Sequence, residues 1–533
     1  MKKTILALAT LWMGNLLINA QGFAPTATQW NIPAVTDYYE FRLSYDDHVV
    51  IDMNGDGKPD LVDTENQATE SVSDVFVSGS QKYWKVYLNV GGSFSTTATQ
   101  WNIPAVSDFY EFRLSYNEHM VIDMNGDNLP DFVDTENQAT EQVSDVFLNG
   151  GQKYWKVYLN TGSGFSPTAT QWNIPAVSDF YEFRLSYDEH VVIDMNGDGK
   201  PDFVDTENQA TESTSDVFVN GSQKYWKVYL NTGSGFSPTA TQWNIPAVSD
   251  FYEFRLSYDY HVVIDINGDD LPDFVDTENQ STEQTSDVFL NGGQKYWKVY
   301  LNTGSGFNPT ATQWNIPVVS DFYEFRLSYD DHVVIDLNGD KKPDFIDTEN
   351  QATEFSSDVF LSGSQKYWKA YLNTGSGFSP TATQWNIPAV SDFYEFRLSY
   401  DDHVVIDMNG DRTPDFVDTE NQSTEQISDV FLNGGQKYWK VYLNTLSGLA
   451  NNTFELVGND VVVYPNPVTD SFKISHPEAI QAIDIYDLKG AMVKTVSTDF
   501  QQAIDVSDLP QGLYLLRVKP ISGDVSFAKV VKK

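Results

Sequence analysis

Six short runs hold the residues best suited to chemistry. The first reads Asp52-Met53-Asn54-Gly55-Asp56-Gly57-Lys58-Pro59-Asp60, with side-chain oxygens at loop positions 1, 3, 5 and 9. The same four positions return as Asp123, Asn125, Asp127 and Asp131, then as Asp194, Asn196, Asp198 and Asp202. They return again as Asp265, Asn267, Asp269 and Asp273, as Asp336, Asn338, Asp340 and Asp344, and as Asp407, Asn409, Asp411 and Asp415. Calcium takes six to eight oxygens at about 2.3–2.6 Å, and a tight loop points alternate side chains at one ion. A backbone carbonyl would serve at position 7, leaving its side chain free to vary, and it does: Lys58, Leu129, Lys200, Leu271, Lys342, Thr413. Position 6 varies as well (Gly57, Asn128, Gly199, Asp270, Lys341, Arg412), whereas the four oxygen positions do not. The expectation is one Ca2+ per run. The rivals are magnesium and a metal-free Asn-Gly hairpin turn, although three aspartates on one turn repel each other without a cation. An EF-hand is excluded, because it needs glycine at position 6 and a helix on each side.

Other candidate chemistry is thinner. One histidine precedes each run (His48, His119, His190, His261, His332, His403) and reads as a packing residue, not a catalyst. Asp63-Thr64-Glu65-Asn66-Gln67 and its copies would form a second shell for the metal or, preferably, a solvated edge. Glycoside hydrolysis needs two carboxylates in unlike environments, and equal copies offer no privileged pair. There is no serine triad, phosphate loop or zinc motif, and no cysteine to serve as nucleophile, disulfide or thiolate ligand. No catalytic residue is assigned and no enzyme activity is expected. The aromatics Trp30, Tyr38, Tyr39, Tyr83, Trp84 and Tyr87 return in every copy, with Phe for Tyr38 in later ones. They would either pack adjacent units together or stack on sugar rings.

The elements that position these residues repeat with them. Tryptophan in Gln-Trp-Asn-Ile-Pro stands at Trp30, Trp101, Trp172, Trp243, Trp314 and Trp385, always 71 residues apart. A fixed period of this kind means a solenoid, a propeller or a string of modules. Within a unit, Phe41, Leu43 and Tyr45 alternate with polar residues, as do Trp84, Val86 and Leu88 with Tyr83, Lys85 and Tyr87. Period-two patterning predicts four or five strands per unit and no helix. The expected fold is all-β: a β-propeller of six blades, or seven if a terminal segment contributes, with a linear β-solenoid and six separate beads as rivals.

The ends differ from the middle. Lys2 and Lys3, an apolar stretch from Ile5 to Ile18, and Ala20 before Gln21 predict a signal peptide over residues 1–20. The repeats occupy 21–449, a linker 450–460, and a second β-module, read as a small sandwich, 461–533. No stretch reaches the ~20 apolar residues of a membrane-spanning helix.

Two resemblances follow from these residues. The run from Ile51 to Val62, with Val157-Tyr-Leu-Asn-Thr-Gly-Ser-Gly-Phe165 downstream in the second copy, resembles the FG-GAP/VCBS repeats of integrin α-chains, some fungal lectins and bacterial toxins. That resemblance implies propeller blades and assigns the calcium side chains to the four oxygen positions of each run. The units are longer than usual for that family, with an added polar stretch around Thr64 to Gln81. Tyr464-Pro-Asn-Pro467, Ile483 to Gly490, Gly512 to Val518 and the basic end Lys529 to Lys533 are similar to the C-terminal sorting domain of the Bacteroidetes type IX secretion system. This second likeness implies passage through the type IX machinery and release from, or attachment to, the outer surface.

Charge narrows the partners. The 75 acids and 33 bases give a formal charge of −42. All of it lies between Trp30 and Leu449, since the leader and the C-terminal module cancel. A surface this acidic disfavours nucleic acid and anionic membranes. The expected role is a secreted, calcium-binding cell-surface module that binds extracellular glycans or proteins, equal sites acting by avidity. The alternatives are a passive surface or matrix protein and a polysaccharide-active enzyme.

Overall fold

The structure, a computed structural model, describes residues 21–33, 48–64 and 75–104, the equivalent stretches of the later units up to 445, and most of 463–532. The signal-peptide and linker expectations, and the strand expected at Phe41–Tyr45, lie outside the described residues. The chain divides between Leu446 and Ser447 into two compact units. Every regular element among the described residues is a strand. None is a helix able to cross a membrane.

The first unit contains six sheets built alike. Sheet 1 joins His48–Ile51, Asp60–Asp63, Gln81–Tyr87 and Thr99–Asn102 as antiparallel neighbours, and Phe76–Ser78 pairs with the first half of Gln81–Tyr87. Alternation explains the burial of the long strand. Trp84 and Val86 point to one face and are fully buried, while Tyr83 and Lys85 point to the other and stay half-exposed. Trp84 sits opposite Trp101 across the ladder, a pairing repeated in each sheet.

Each tryptophan face packs on the next sheet. Trp84, Trp101, Val62 and Val86 of sheet 1 share a core with Phe132, Tyr158 and Phe165 of sheet 2. Phe165 meets Trp84 edge-on, ring centroids 5.6 Å apart at 89°. Burying one such indole removes roughly 200 Å² from water, worth about 5 kcal/mol by area as an upper figure. The indole N–H groups of all twelve repeat tryptophans have no acceptor among the described residues. Their role is packing, with no polar tip left for a ligand.

The N-terminus completes the last two sheets. Thr28–Asn31 forms the outer strand of sheet 6, with Trp30 opposite Trp439. Gly22–Phe23 lies between Asn386 of sheet 5 and Asn444–Thr445. There Phe23 packs on Trp368, the position that Phe165 takes on Trp84. Gly22 has φ +149°, and a Cβ there would fall 2.4 Å from the Asn386 carbonyl oxygen, so only glycine fits.

Sheet-to-sheet contacts return to their start. Asn160 Nδ2 donates to Met53 O, Asn231 to Met124 O, and so on to Asn444 and Leu337 O. Asn89 of sheet 1 donates to Met408 O of sheet 6 at 2.9 Å. The individual sheets are open.

The second compact unit has a three-stranded sheet (Val463–Tyr464, Ser471–Ile474, Ile504–Asp505) and a four-stranded one (Ile480–Tyr486, Met492–Val496, Gly512–Pro520, Ser526–Lys532). Val468, Phe472, Ile483, Ile485, Tyr514 and Leu516 form its core. Asp484, nearly buried, binds Lys519 Nζ at 2.7 Å, which holds its carboxyl below the usual range.

Candidate functional site

The acidic runs are turns between the first two strands of each sheet. Asp52 organises its turn: Oδ1 accepts the N–H of Gly55 at 2.8 Å and of Asp56 at 3.2 Å, and Oδ2 accepts that of Gly57 at 2.7 Å. Asn54 Oδ1 accepts from Asp56 N, and Asp56 Oδ1 from Lys58 N. Asp60 closes the turn. It is fully buried and accepts the N–H of Asn89 and of Met53. Burial pushes its carboxyl up to about 6 against the pull of those two N–H groups, and the charges of Asp56 and Asp52 add to the rise. The equivalents behave alike, with Asp131 and Asp202 at about 6 and Asp273, Asp344 and Asp415 at about 7, burial being the main cause in each.

Position 6 holds a finding that variability concealed. Its φ is +82° and +81° in Gly57 and Gly199, and +66° to +73° in Asn128, Asp270, Lys341 and Arg412. The left-handed state is therefore required in all six turns, and non-glycine residues bear it at roughly 1–2 kcal/mol each. Glycine's absence at position 6 thus does not by itself separate these loops from EF-hands; the flanking strands do. Position 4 is glycine for a second reason. A Cβ on Gly55 would lie 2.8 Å from Leu129 Cδ2 of the next turn, and one on Gly410 would lie 3.0 Å from Lys58 Cγ. The six turns therefore touch in sequence, the last against the first.

The donors fit a hard cation in type: positions 1, 3, 5 and 9 of each turn supply three carboxylates and one amide oxygen, one carboxylate being buried beside two others. As placed, the carboxylates accept the turn's own N–H groups and, at position 9, also that of Asn89 or its equivalent. Among the described residues no three acidic or histidine side chains converge on one point.

The other candidates separate clearly. Every histidine of the set is buried: His48 stands opposite Asp63 in the ladder, its Nε2 3.8 Å from Asp63 Oδ1. Asp63 is 2% exposed, so it is no solvated edge as expected. It lies at the far end of its strand from the turn, near Lys85 Nζ at 3.9 Å, and so is no metal shell either. The alternation of the strand Asp60–Asp63 gave no hint of this, since all four residues are buried. Trp30, Trp84 and Tyr87 are core residues. Burial raises the Tyr87 phenol to about 12. Tyr38, Tyr39 and Glu65 to Gln67 lie outside the described residues.

Of the aromatics, Tyr83 remains partly open. It packs on Phe76 at 5.8 Å, and Lys85 Nζ sits 3.6 Å over the Phe76 ring. Beside the equivalent Tyr154, Asn149, Gln171 and Asn173 form an exposed chain of amides linked at 2.7 Å. Sequence patterning missed this cluster, because its parts come from three strands.

The comparisons bear first on the C-terminus. Residues 462–533 match the family described as the secretion system C-terminal sorting domain. These residues are a type IX sorting domain. It marks the chain as secreted and attached at the cell surface. No curated protein matches the sequence. Among solved structures, the Photorhabdus luminescens Tc holotoxin pore is 14% identical with a TM-score of 0.43, over 79% of this chain and 15% of that one. An Agrocybe aegerita lectin recognising non-reducing terminal N-acetylglucosamine is 17% identical with a TM-score of 0.38, over 74% and 84%. PorZ, a surface component of the type IX system of Porphyromonas gingivalis, is 14% identical with a TM-score of 0.32, over 95% and 60%. The chain thus spans under two thirds of the toxin and PorZ chains.

Proposed function

We propose that the repeat region is a six-bladed β-propeller held at one end by six calcium ions, acting at the cell surface as a multivalent binding module for glycans. The observation that carries the fold reading is the return of sheet 6 onto sheet 1, through Asn89 and Met408 and through Lys58 and Gly410. Calcium is supported by the donor set and by the six buried position-9 aspartates whose carboxyls burial pushes up. A bound divalent cation would supply the positive charge these carboxylates lack. Asp52, Asn54, Asp56, Asp60 and their equivalents would hold it, with the position-7 carbonyl.

Binding is supported by six copies of Tyr83, four of them beside the full chain of amides and two, in units 1 and 5, with Ser78 or Ser362 in place of its asparagine; an aromatic face beside polar groups is of the kind that suits sugars. Weak equal sites on one rigid body gain avidity on a polymer. Burial of the tryptophans favours the second reading, a passive surface protein, by removing the largest rings from the surface. A glycan array of the mature chain, with calcium and with chelator, decides between them. Calcium-dependent binding to polymeric glycans supports the module, and an empty array under both conditions supports the passive protein.

A further inference from the structure

The six copies of the Tyr83 face are not alike. In unit 2 the hairpin beside it ends on Asn149, whose Nδ2 donates to Gln171 Oε1 at 2.7 Å, and Gln171 Nε2 donates to Asn173 Oδ1 at 2.7 Å. Units 3, 4 and 6 repeat this chain from Asn220, Asn291 and Asn433. In units 1 and 5 the asparagine is Ser78 or Ser362, and the second link alone is left, from Gln100 to Asn102 and from Gln384 to Asn386. Unit 6 takes its glutamine and last asparagine, Gln29 and Asn31, from the start of the chain. Its set is complete because Thr28–Asn31 docks on that sheet.

Each chain of three amides has a direction. Asn149 gives an N–H and leaves its Oδ1 as an acceptor at one end, while Asn173 accepts and leaves its Nδ2 hydrogens as donors at the other. Turning all three amides over exchanges the ends and keeps one of each. A hydroxyl donates and accepts, so it satisfies both ends. A carboxylate or sulfate only accepts, so it meets an oxygen at one of them. Charge points the same way. Lys156, two residues on from Tyr154 and on the same face, is engaged 3.6 Å over the Phe147 ring and 3.9 Å from Asp134 Oδ2. The repeats around it carry the net charge of −42, a field that repels polyanions. Tyr154, half-exposed and paired with Asn173 across the ladder, adds a ring for the C–H side of a sugar.

We propose that the ligand is an uncharged, hydroxyl-rich glycan chain held at four stations, in units 2, 3, 4 and 6, and that units 1 and 5 are silent. The inference rests on the glycan reading above and adds the class of glycan and the number of sites. The copies supply their own controls. Unit 3 reads Val219-Asn220-Gly221-Ser222 where unit 1 reads Val77-Ser78-Gly79-Ser80. The turn glycine has φ +66° in the first and +67° in the second, so each turn accommodates the other's residue.

The test is binding of the mature chain, in calcium, to immobilised dextran, xylan and mannan and to dextran sulfate, alginate and heparin. Binding is expected on the uncharged polymers and not on the anionic ones. Ser78→Asn combined with Ser362→Asn should raise the apparent affinity about tenfold, and Asn220→Ser combined with Asn291→Ser should lower it about tenfold, since stations on one chain multiply through avidity. Melting temperatures check that each variant folds. Tighter binding to the anionic polymers would overturn the class of ligand. Binding to uncharged polymers that neither pair of changes moves would overturn the four stations and leave glycan binding standing. No binding to any of the six polymers would overturn both readings.

Discussion

Replacing Trp30 by alanine separates a closed set of sheets from an open array. Trp30 is the tenth residue after the expected leader, yet it is 1% exposed, paired with Trp439 from the far end of the repeats and edge-on to Phe94 at 6.4 Å. Its indole N–H has no acceptor, so the change costs packing alone. Truncating a buried tryptophan to alanine costs about 3–5 kcal/mol through lost transfer energy and the cavity left behind. Trp172, equally buried and opposite Trp155 within the middle of the chain, is the matched control. Urea unfolding of the mature chain, followed by tryptophan fluorescence, should show both variants destabilised by similar amounts. An exposed side chain at the same place would change stability by less than about 0.5 kcal/mol. A Trp30→Ala effect that small, with Trp172→Ala at full size, would refute the docking of the N-terminal strand on sheet 6.

Three further outcomes are expected. Phe23→Ala should lose about 3–5 kcal/mol, because Phe23 is 3% exposed between Trp368 and Phe416; denaturant midpoints check this. Arg412→Gly should stabilise by about 0.5–1 kcal/mol, since relief of a φ of +73° outweighs the flexibility glycine adds to the unfolded chain; a rise in melting temperature is the readout. Asp484 has its pKa lowered chiefly by the hydrogen bond from Lys519. Its contribution is therefore present above the ordinary carboxylate value near 4 and is lost as pH falls through its own lower value. Asp484→Asn should make the sorting domain easier to proteolyse at pH 7 and reduce the loss of resistance that the natural chain shows between pH 5 and 3, the remainder coming from Asp505, whose carboxyl the Ser507 N–H also holds low.

Much of this architecture is legible in the amino-acid sequence. The 71-residue period, the strand alternation of Gln81–Tyr87 and the presence of the sorting domain follow from local patterns, and local patterns survive in sequence. The turn oxygens are legible too, because fixed residues beside varying ones expose a geometric demand. What the sequence hides is long-range. Nothing about Gly22-Phe23 or Trp30 announces that they complete sheets by pairing with Asn386 and Trp439, far along the chain. Asp63 looks like a surface acid until pairing places it against His48 and under Lys85. Position 6 looks permissive because side-chain identity conceals a shared backbone angle.

The central claim, that metal in the six turns holds the repeats together, is tested most directly by thermal unfolding of the mature chain in about 2 mM calcium and in excess chelator. Extracellular calcium modules bind at about 0.1–1 mM, so each filled site adds roughly 0.5–2 kcal/mol and six add several kcal/mol. The account predicts a melting temperature many degrees higher with calcium. The same melting temperature in calcium and in chelator would contradict it.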